Sequence, residues 1–289
     1  MTTPNSADPK NGKQRPKKRL GQHFLVDKNI IARIIKAAKL QEGERVLEIG
    51  PGRGALTTAL IGAGADVVAI EFDRSLIDGL NKCFGPSGRF RLVCGDAVKV
   101  LFEEVLGSEE ADSGESSTVK VVANLPYNIS GPIIAKFVEN RALFSTMTIM
   151  LQKEVADRLL AEPSTKDYGA LTVIVRAFME VKRAFNVPPT CFYPPPKVDS
   201  TVINMNPKEK PSVTPLMEAD FKKVVKGAFL QRRKTLRNSL KGAGFEPVDL
   251  DKAFAVTAIS PTRRGETLTV AEFVRLTKNL LEKKEVVDA

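Results

Sequence analysis

Apolar and polar residues alternate along this chain in two periods. Ile30, Ile31, Ile34, Ile35 and Ala38 recur at helical spacing and predict a helix over about 27–39, which Gly43 ends. Short apolar runs then alternate with amphipathic segments. Strands are predicted at 45–49, 66–70, 90–93, 119–123 and 144–151. Helices are predicted from the glycine-rich loop through Ile61, then at 74–83, 97–106, 131–139 and 152–161. Residues 169–179 and 201–205 read as two more strands. Strand–helix alternation of this kind predicts a mostly parallel, doubly wound α/β sheet, with ligands at the strands' carboxyl ends. After about Asn206 the pattern turns helical, at 216–240, 249–255 and 270–284. The expected organisation is therefore a basic arm at 1–19, an α/β domain at 20–206 and a small helical C-terminal domain at 207–289. The stretch 107–117 is acidic and rich in Ser and Gly, and reads as an exposed loop.

Composition narrows the class. Hydrophobic residues make up 43% of 289, enough for a substantial core. Three scattered cysteines without a paired spacing exclude a disulfide framework or a zinc site, and a single histidine, His23, excludes a His-rich metal centre. No metal is expected. Reduced thiols fit the cytoplasm. The first 19 residues carry Lys13, Arg15, Lys17, Lys18 and Arg19 and no apolar core, unlike a secretory signal. No apolar run approaches the roughly 20 residues that span a bilayer.

The net charge of +10 fits a polyanionic partner if the charge is clustered. It is: Lys222, Lys223, Lys226, Arg232, Arg233, Lys234, Arg237 and Lys241 fall within 222–241 with no acid among them. Val224, Val225, Ala228, Phe229, Leu236 and Leu240 supply apolar positions at roughly helical spacing. The competing reading is a solvated helix face; the missing carboxylates favour phosphate contacts, with Lys222, Lys223, Arg232, Arg233, Lys234 and Arg237 as the RNA-binding candidates.

Two motifs carry chemistry. Glu48-Ile49-Gly50-Pro51-Gly52-Arg53-Gly54 lies between the first strand and the first helix of the sheet, where small residues let the backbone approach a ligand. It departs from the G-x-G-x-x-G of dinucleotide sites, which disfavours NAD. Glu71, ending the second strand, is placed to hold both hydroxyls of a ribose. Asp96, after the third, is placed to accept from an adenine amino group. A glycine-rich turn with ordinary surface carboxylates is the plainer alternative, but the register of Glu71 and Asp96 resembles the S-adenosylmethionine-dependent methyltransferase fold. The second motif, Asn124-Leu125-Pro126-Tyr127, ends the fourth strand with an amide, a proline and an aromatic. These suit a pocket for a flat heteroaromatic amine. The Asn124 side-chain oxygen and a carbonyl of Leu125 or Pro126 can accept from the amino protons, and Tyr127 can stack on the ring, worth about 1–3 kcal/mol per base. An ordinary strand-end turn is the competing reading of the tetrapeptide alone.

Gly-Gln-His-Phe-Leu at 21–25, Glu-Ile-Gly-Pro-Gly at 48–52, Asn-Leu-Pro-Tyr-Asn-Ile-Ser at 124–130, Leu-Gln-Lys-Glu-Val at 151–155, Phe-Tyr-Pro-Pro-Pro-Lys-Val-Asp-Ser at 192–200 and the segment Phe229–Leu240 resemble, together, the ribosomal RNA adenine N6,N6-dimethyltransferase family and its bacterial small-subunit branch. The likeness covers roughly 17–280. It implies a Rossmann-like fold that uses S-adenosylmethionine, with His23, Leu25, Gly50, Glu71, Asp96 and Asn124 around the cofactor. It implies that Tyr127 and Phe192 sandwich the target adenine, and that Asn124, Leu125 and Pro126 hold its amine. It implies a substrate of two adjacent adenosines in a hairpin loop near the 3′ end of small-subunit rRNA, each dimethylated, on a precursor particle; a monomer is expected. His23 stands where many members have Asn. Competing readings are a large-subunit rRNA methylase, a DNA N6-adenine methylase, a small-molecule methyltransferase and a ribosome-assembly factor without catalysis.

Overall fold

The structure, a computed structural model, describes residues 21–107 and 118–281. The basic arm and most of the acidic loop lie outside the described residues. By packing, the chain divides into two compact units. One holds the residues up to Ala156 together with Lys182–Pro207; the other holds Asp157–Val181 and the residues from Lys208 on.

The first unit begins with β1 (Phe24–Leu25) and α1 (Lys28–Ala38). Asp27 caps α1 by accepting from the amides of Asn29 and Ile30, and Ile30, Ile31, Ile34 and Ala38 form its buried face. Then follow β2 (Arg45–Ile49), α2 (Ala55–Gly62), β3 (Asp66–Glu71), α3 (Arg74–Phe84), β4 (Phe90–Cys94), α4 (Phe102–Leu106), β5 (Val119–Asn124), α5 (Ser130–Glu139) and β6 (Phe144–Gln152). α6 (Lys153–Leu160) and α7 (Ala170–Phe178) lead to β7 (Met179–Val187), β8 (Phe192–Tyr193) and β9 (Ser200–Pro207). The seven-stranded sheet runs β4-β3-β2-β5-β6-β9-β7. It is parallel from β4 through β6, and β9 pairs antiparallel with β6. β2, β3 and β5 are buried along almost their whole length, as continuous apolar strands covered on both faces must be. From β2 the chain winds outward through β3 and β4, and from β5 it winds the other way through β6. The crevice outside the carboxyl ends of β2 and β5 is the switch point where an open α/β sheet binds its ligand. Both motifs lie there.

The second unit is helical: α8 (Glu218–Phe229), α9 (Leu236–Gly242), α10 (Pro247–Thr257) and α11 (Val270–Leu281), with α7 packed against α8 and α11. Phe178 meets Phe221 edge-on, and Tyr168, whose hydroxyl donates to the Leu268 carbonyl, adjoins Phe229.

Three expectations change. Residues 170–178 form a helix where a strand is expected over 169–179, and Met179 instead begins β7. The run is apolar enough to be buried nearly all round, with Thr172, Val173, Val175, Ala177 and Phe178 inside, so its periodicity does not separate the two forms. Its amino end is fixed by the Gly169 amide donating to Thr172 Oγ1. Residues 97–101 do not join the helix expected at 97–106, because Asp96 folds a turn over them and Lys136 takes their carbonyls. Residues 216–240 break at 230–235 into α8 and α9, with Thr235 capping the second by accepting from the Asn238 amide.

Candidate active site

The glycine loop joins β2 to α2 with Gly50 in a left-handed conformation, φ +68°. A Cβ at Gly50 would meet the Pro126 ring at 3.2 Å. The two motifs are thus packed against each other, and only glycine lets the backbones approach so closely. Around them is a cavity of about 730 Å³, lined by residues of 21–25, 48–56, 70–72, 95–97 and 124–129.

On one side stand the acids. Glu71 is 6% exposed; one carboxylate oxygen accepts from the Gly52 amide at 3.1 Å and the other from the Asp73 amide at 2.8 Å. These bonds fix the carboxylate plane and leave lone pairs for further donors. Burial pushes its pKa up, opposed by the backbone amides that stabilise the charge. Asp96 lies at the turn after β4, with Oδ1 accepting from the Val98 amide at 3.0 Å. His23, Leu25 and Gly50 line the same cavity. One further acid belongs with them that sequence reasoning misses: Glu48, 1% exposed, also lines the cavity and accepts from Thr57 Oγ1 at 2.7 Å. Burial, reinforced by Glu71, pushes its carboxyl up to about 8. The signal that could have found it is a charged residue inside the apolar strand Val46–Ile49.

On the other side is the tetrapeptide. The Asn124 side-chain amide donates to the His23 carbonyl at 3.3 Å, which fixes Nδ2 as the tethered atom and leaves Oδ1 as an acceptor. The Pro126 carbonyl already accepts from the Ile129 amide at 3.1 Å and from the Ser130 hydroxyl at 3.4 Å, as the chain turns into α5. Of the two backbone acceptors considered for an amine, this turn favours the Leu125 carbonyl. Leu125 itself is anchored by its amide, which donates to the Met150 carbonyl. Tyr127 is held at its hydroxyl by Ser200 Oγ at 2.7 Å, and one ring face is stacked on His23 with centroids 5.4 Å apart. The His23 ring is in turn within 2.8 Å of the Pro194 carbonyl through Nδ1. Nothing in the sequence announces the Tyr127–Ser200 pair, which joins residues 73 apart in the chain.

Phe192 stands apart from this group. It pairs with Leu25 in the β1–β8 ladder, is 3% exposed and packs in the core rather than lining the cavity. The exposed aromatic of that strand is Tyr193, opposite Phe24.

In the second unit the basic run is less bare of acid than its sequence suggests. Lys222 pairs with Glu218, Arg237 is bidentate to Asp251 at 2.6 and 2.8 Å, and Arg232 lies 3.8 Å from Glu266. All three acids come from outside the run, so a sequence window free of carboxylates does not make these three cations available. Lys223 covers the Phe245 ring. Arg233 and Lys234 are exposed in the turn between α8 and α9 and have no ion pair among the described residues.

Among the described residues, no group of His, Cys, Asp and Glu is arranged to hold a metal, and no helix is long and apolar enough to cross a membrane.

A switch-point cavity with a buried acid closing β3, an acceptor after β4 and Asn-Leu-Pro-Tyr after β5 defines a Rossmann-like methyltransferase. Comparison with known proteins is more specific. A profile described as "Ribosomal RNA adenine dimethylase" matches residues 13–282, and the chain belongs to that family. It is 45% identical over 269 residues to the ribosomal RNA small subunit methyltransferase A of Geobacter metallireducens, covering 92% of this chain and 96% of that protein. It is 44% identical over 263 residues to the Clostridium acetobutylicum protein of the same name, covering 91% and 93%. Among solved structures it resembles a dimethyladenosine transferase from Plasmodium falciparum, with TM-score 0.72 and 29% identity over 91% of this chain and 98% of that one. The 23S rRNA methyltransferase ErmE shares the fold, with TM-score 0.65 at 24% identity over 89% and 99%.

Proposed function

We propose that this chain dimethylates N6 of two adjacent adenosines in the hairpin loop near the 3′ end of small-subunit rRNA, acting as a monomer on a precursor particle in the cytoplasm. The observation that carries this reading is the placement of Glu71, Asp96 and Asn124–Tyr127 around one cavity. S-adenosylmethionine, when bound, supplies a methyl group on a sulfonium. The residues present fit it. Glu71 is a rigid, buried acceptor suited to a ribose diol, Asp96 offers an acceptor to the adenine amine, and the glycine loop leaves room for close backbone approach. His23 and Leu25 close the cavity from the amino-terminal side.

The target amine is a poor nucleophile because its lone pair is delocalised into the ring. Asn124 Oδ1 and the Leu125 carbonyl accept hydrogen bonds from the N–H groups that the amine carries, localise the lone pair and point it at the methyl group. Tyr127 offers its ring as a stacking face, and Ser200 fixes the orientation of that ring. The proton is shed after transfer, when the nitrogen is cationic, so no general base is needed at the amine. Rate enhancement then comes from alignment and placed dipoles. The assignment of Phe192 as the second stacking face requires its side chain to leave the core on RNA binding.

Radiolabelled S-adenosylmethionine with small-subunit particles that lack the modification tests this reading. N6,N6-dimethyladenosine at two adjacent positions near the 3′ end is expected. Label confined to large-subunit rRNA, or RNA binding without transfer, would favour the competing readings and overturn this one.

A further inference from the structure

We infer that Lys136 is a positioning residue for the cofactor's base, holding in place the turn that carries Asp96. The inference rests on the reading of Asp96 as the acceptor for the adenine amine. Lys136 projects from α5, the helix reached from Asn124–Tyr127 through one short turn. Its ammonium donates to the carbonyls of Ala97, at 3.0 Å, Val98, at 3.1 Å, and Val100, and its Nζ lies 4.4 Å from the Phe102 ring centroid. An ammonium has three N–H donors, and here each finds a carbonyl of one short turn. The same turn is closed from its other side by Asp96, whose carboxylate accepts from the Val98 amide and whose carbonyl accepts from the amides of Lys99 and Val100. Asp96 is therefore held to the turn at both its carbonyl and its carboxylate, and Lys136 fastens the turn.

Two consequences follow from this geometry. The carbonyls of Ala97, Val98 and Val100 point at a fixed cation, so the segment stays a turn instead of extending α4 backwards. The clamp for the target amine and the acceptor for the cofactor's base are also joined through one helix, because α5 begins three residues after the tetrapeptide, across the short turn Tyr127–Ile129. Burial lowers the pKa of Lys136, while Asp96, Glu103 and Glu139 oppose the shift.

The test is base discrimination in binding, measured by calorimetry on the full chain. S-adenosylhomocysteine is compared with S-inosylhomocysteine, in which an oxo group replaces the adenine amine. The unsubstituted protein is expected to prefer the amine. Lys136→Met keeps an unbranched side chain and removes the donors. It should cut that preference on the order of tenfold, as expected for losing a charged hydrogen-bond network. At saturating S-adenosylmethionine its kcat should stay near that of the unsubstituted protein. Lys136→Arg retains charge but presents a planar fork to three converging carbonyls, and should give a partial loss; it carries the comparison if the Met variant does not fold. An unchanged preference in either variant, whatever the affinity, overturns the proposal and leaves only a structural lysine. Asp96→Ala separates the premise from the inference. If that variant keeps the preference, Asp96 does not read the amine and the proposal falls with it; if it loses the preference while the Lys136 variants keep it, only the role of Lys136 is wrong.

Discussion

Glu48 is a carboxyl sealed inside a strand, and the protein keeps it protonated near neutrality. Its folded pKa of about 8 lies above the ordinary 4.5 because burial disfavours the charge. The stability linked to that proton is fully present below about 4.5 and is lost as pH rises through about 8. Glu48→Gln keeps an acceptor for Thr57 and abolishes the titration. Its unfolding free energy, followed with urea at several pH values across this window, should decline less with rising pH than that of the unsubstituted chain. Equal slopes would show that Glu48 does not carry the proton. Among single residues, the sequence was informative where chemistry departs from packing. Glu71 and Asn124 end strands and Asp96 follows one, where apolar residues would otherwise be expected, and the structure brings them to one cavity. It was silent on long-range tethers such as Ser200 to Tyr127 and Pro194 to His23. It also does not show that Phe192 rests in the core, paired with Leu25, since an aromatic in a two-residue strand faces either core or solvent.

The elements owe their placement to a few obligatory backbone conformations. Gly54 caps α2 at φ +79°, and a Cβ there would lie 2.3 Å from the Phe84 ring, which packs with Leu76 and Leu80. Gly54→Ala adds left-handed strain and overpacking, together about 2–4 kcal/mol. A fall of that order in the unfolding free energy from denaturant titration is expected; a change within about 0.5 kcal/mol, typical of an unconstrained surface site, would contradict the steric account. The parallel strands were legible as elements because each is a short apolar run ending in a glycine, an acid or an amide. α7 was not, since residues 170–178 are apolar on nearly every side and pack in a helical unit assembled from two stretches of chain. The turn at 97–101 was hidden for a different reason: the lysine that defines it stands on α5, with Lys136 and Ala97 separated by 39 residues of chain.

For the molecule as a whole, charge was easier to read than its availability. The chain carries +10 overall, yet Lys222, Arg232 and Arg237 have carboxylates beside them that the local sequence did not show. Arg233 and Lys234 are the better candidates for phosphate contacts. Replacing both with Gln should weaken binding to precursor particles across all salt concentrations. It should also make the dependence of log affinity on log salt shallower by about 0.7–0.9 for each phosphate no longer neutralised. Replacing Lys222 and Arg237 should change that slope less; the reverse order would return the interface to the paired cations. In the proposed reaction, Asn124 presents an adenine N6 to a methyl donor. That event is open to direct measurement: single-turnover methyl transfer to unmethylated small-subunit particles by Asn124→Ala, at saturating cofactor and with folding checked by thermal melting. An unaltered melting transition is expected, with a transfer rate reduced by about 10²-fold or more, the scale of removing a placed polar group from a transition state. Dimethylation at a rate close to that of the unsubstituted protein would contradict the role of Asn124 and, with it, the proposed chemistry.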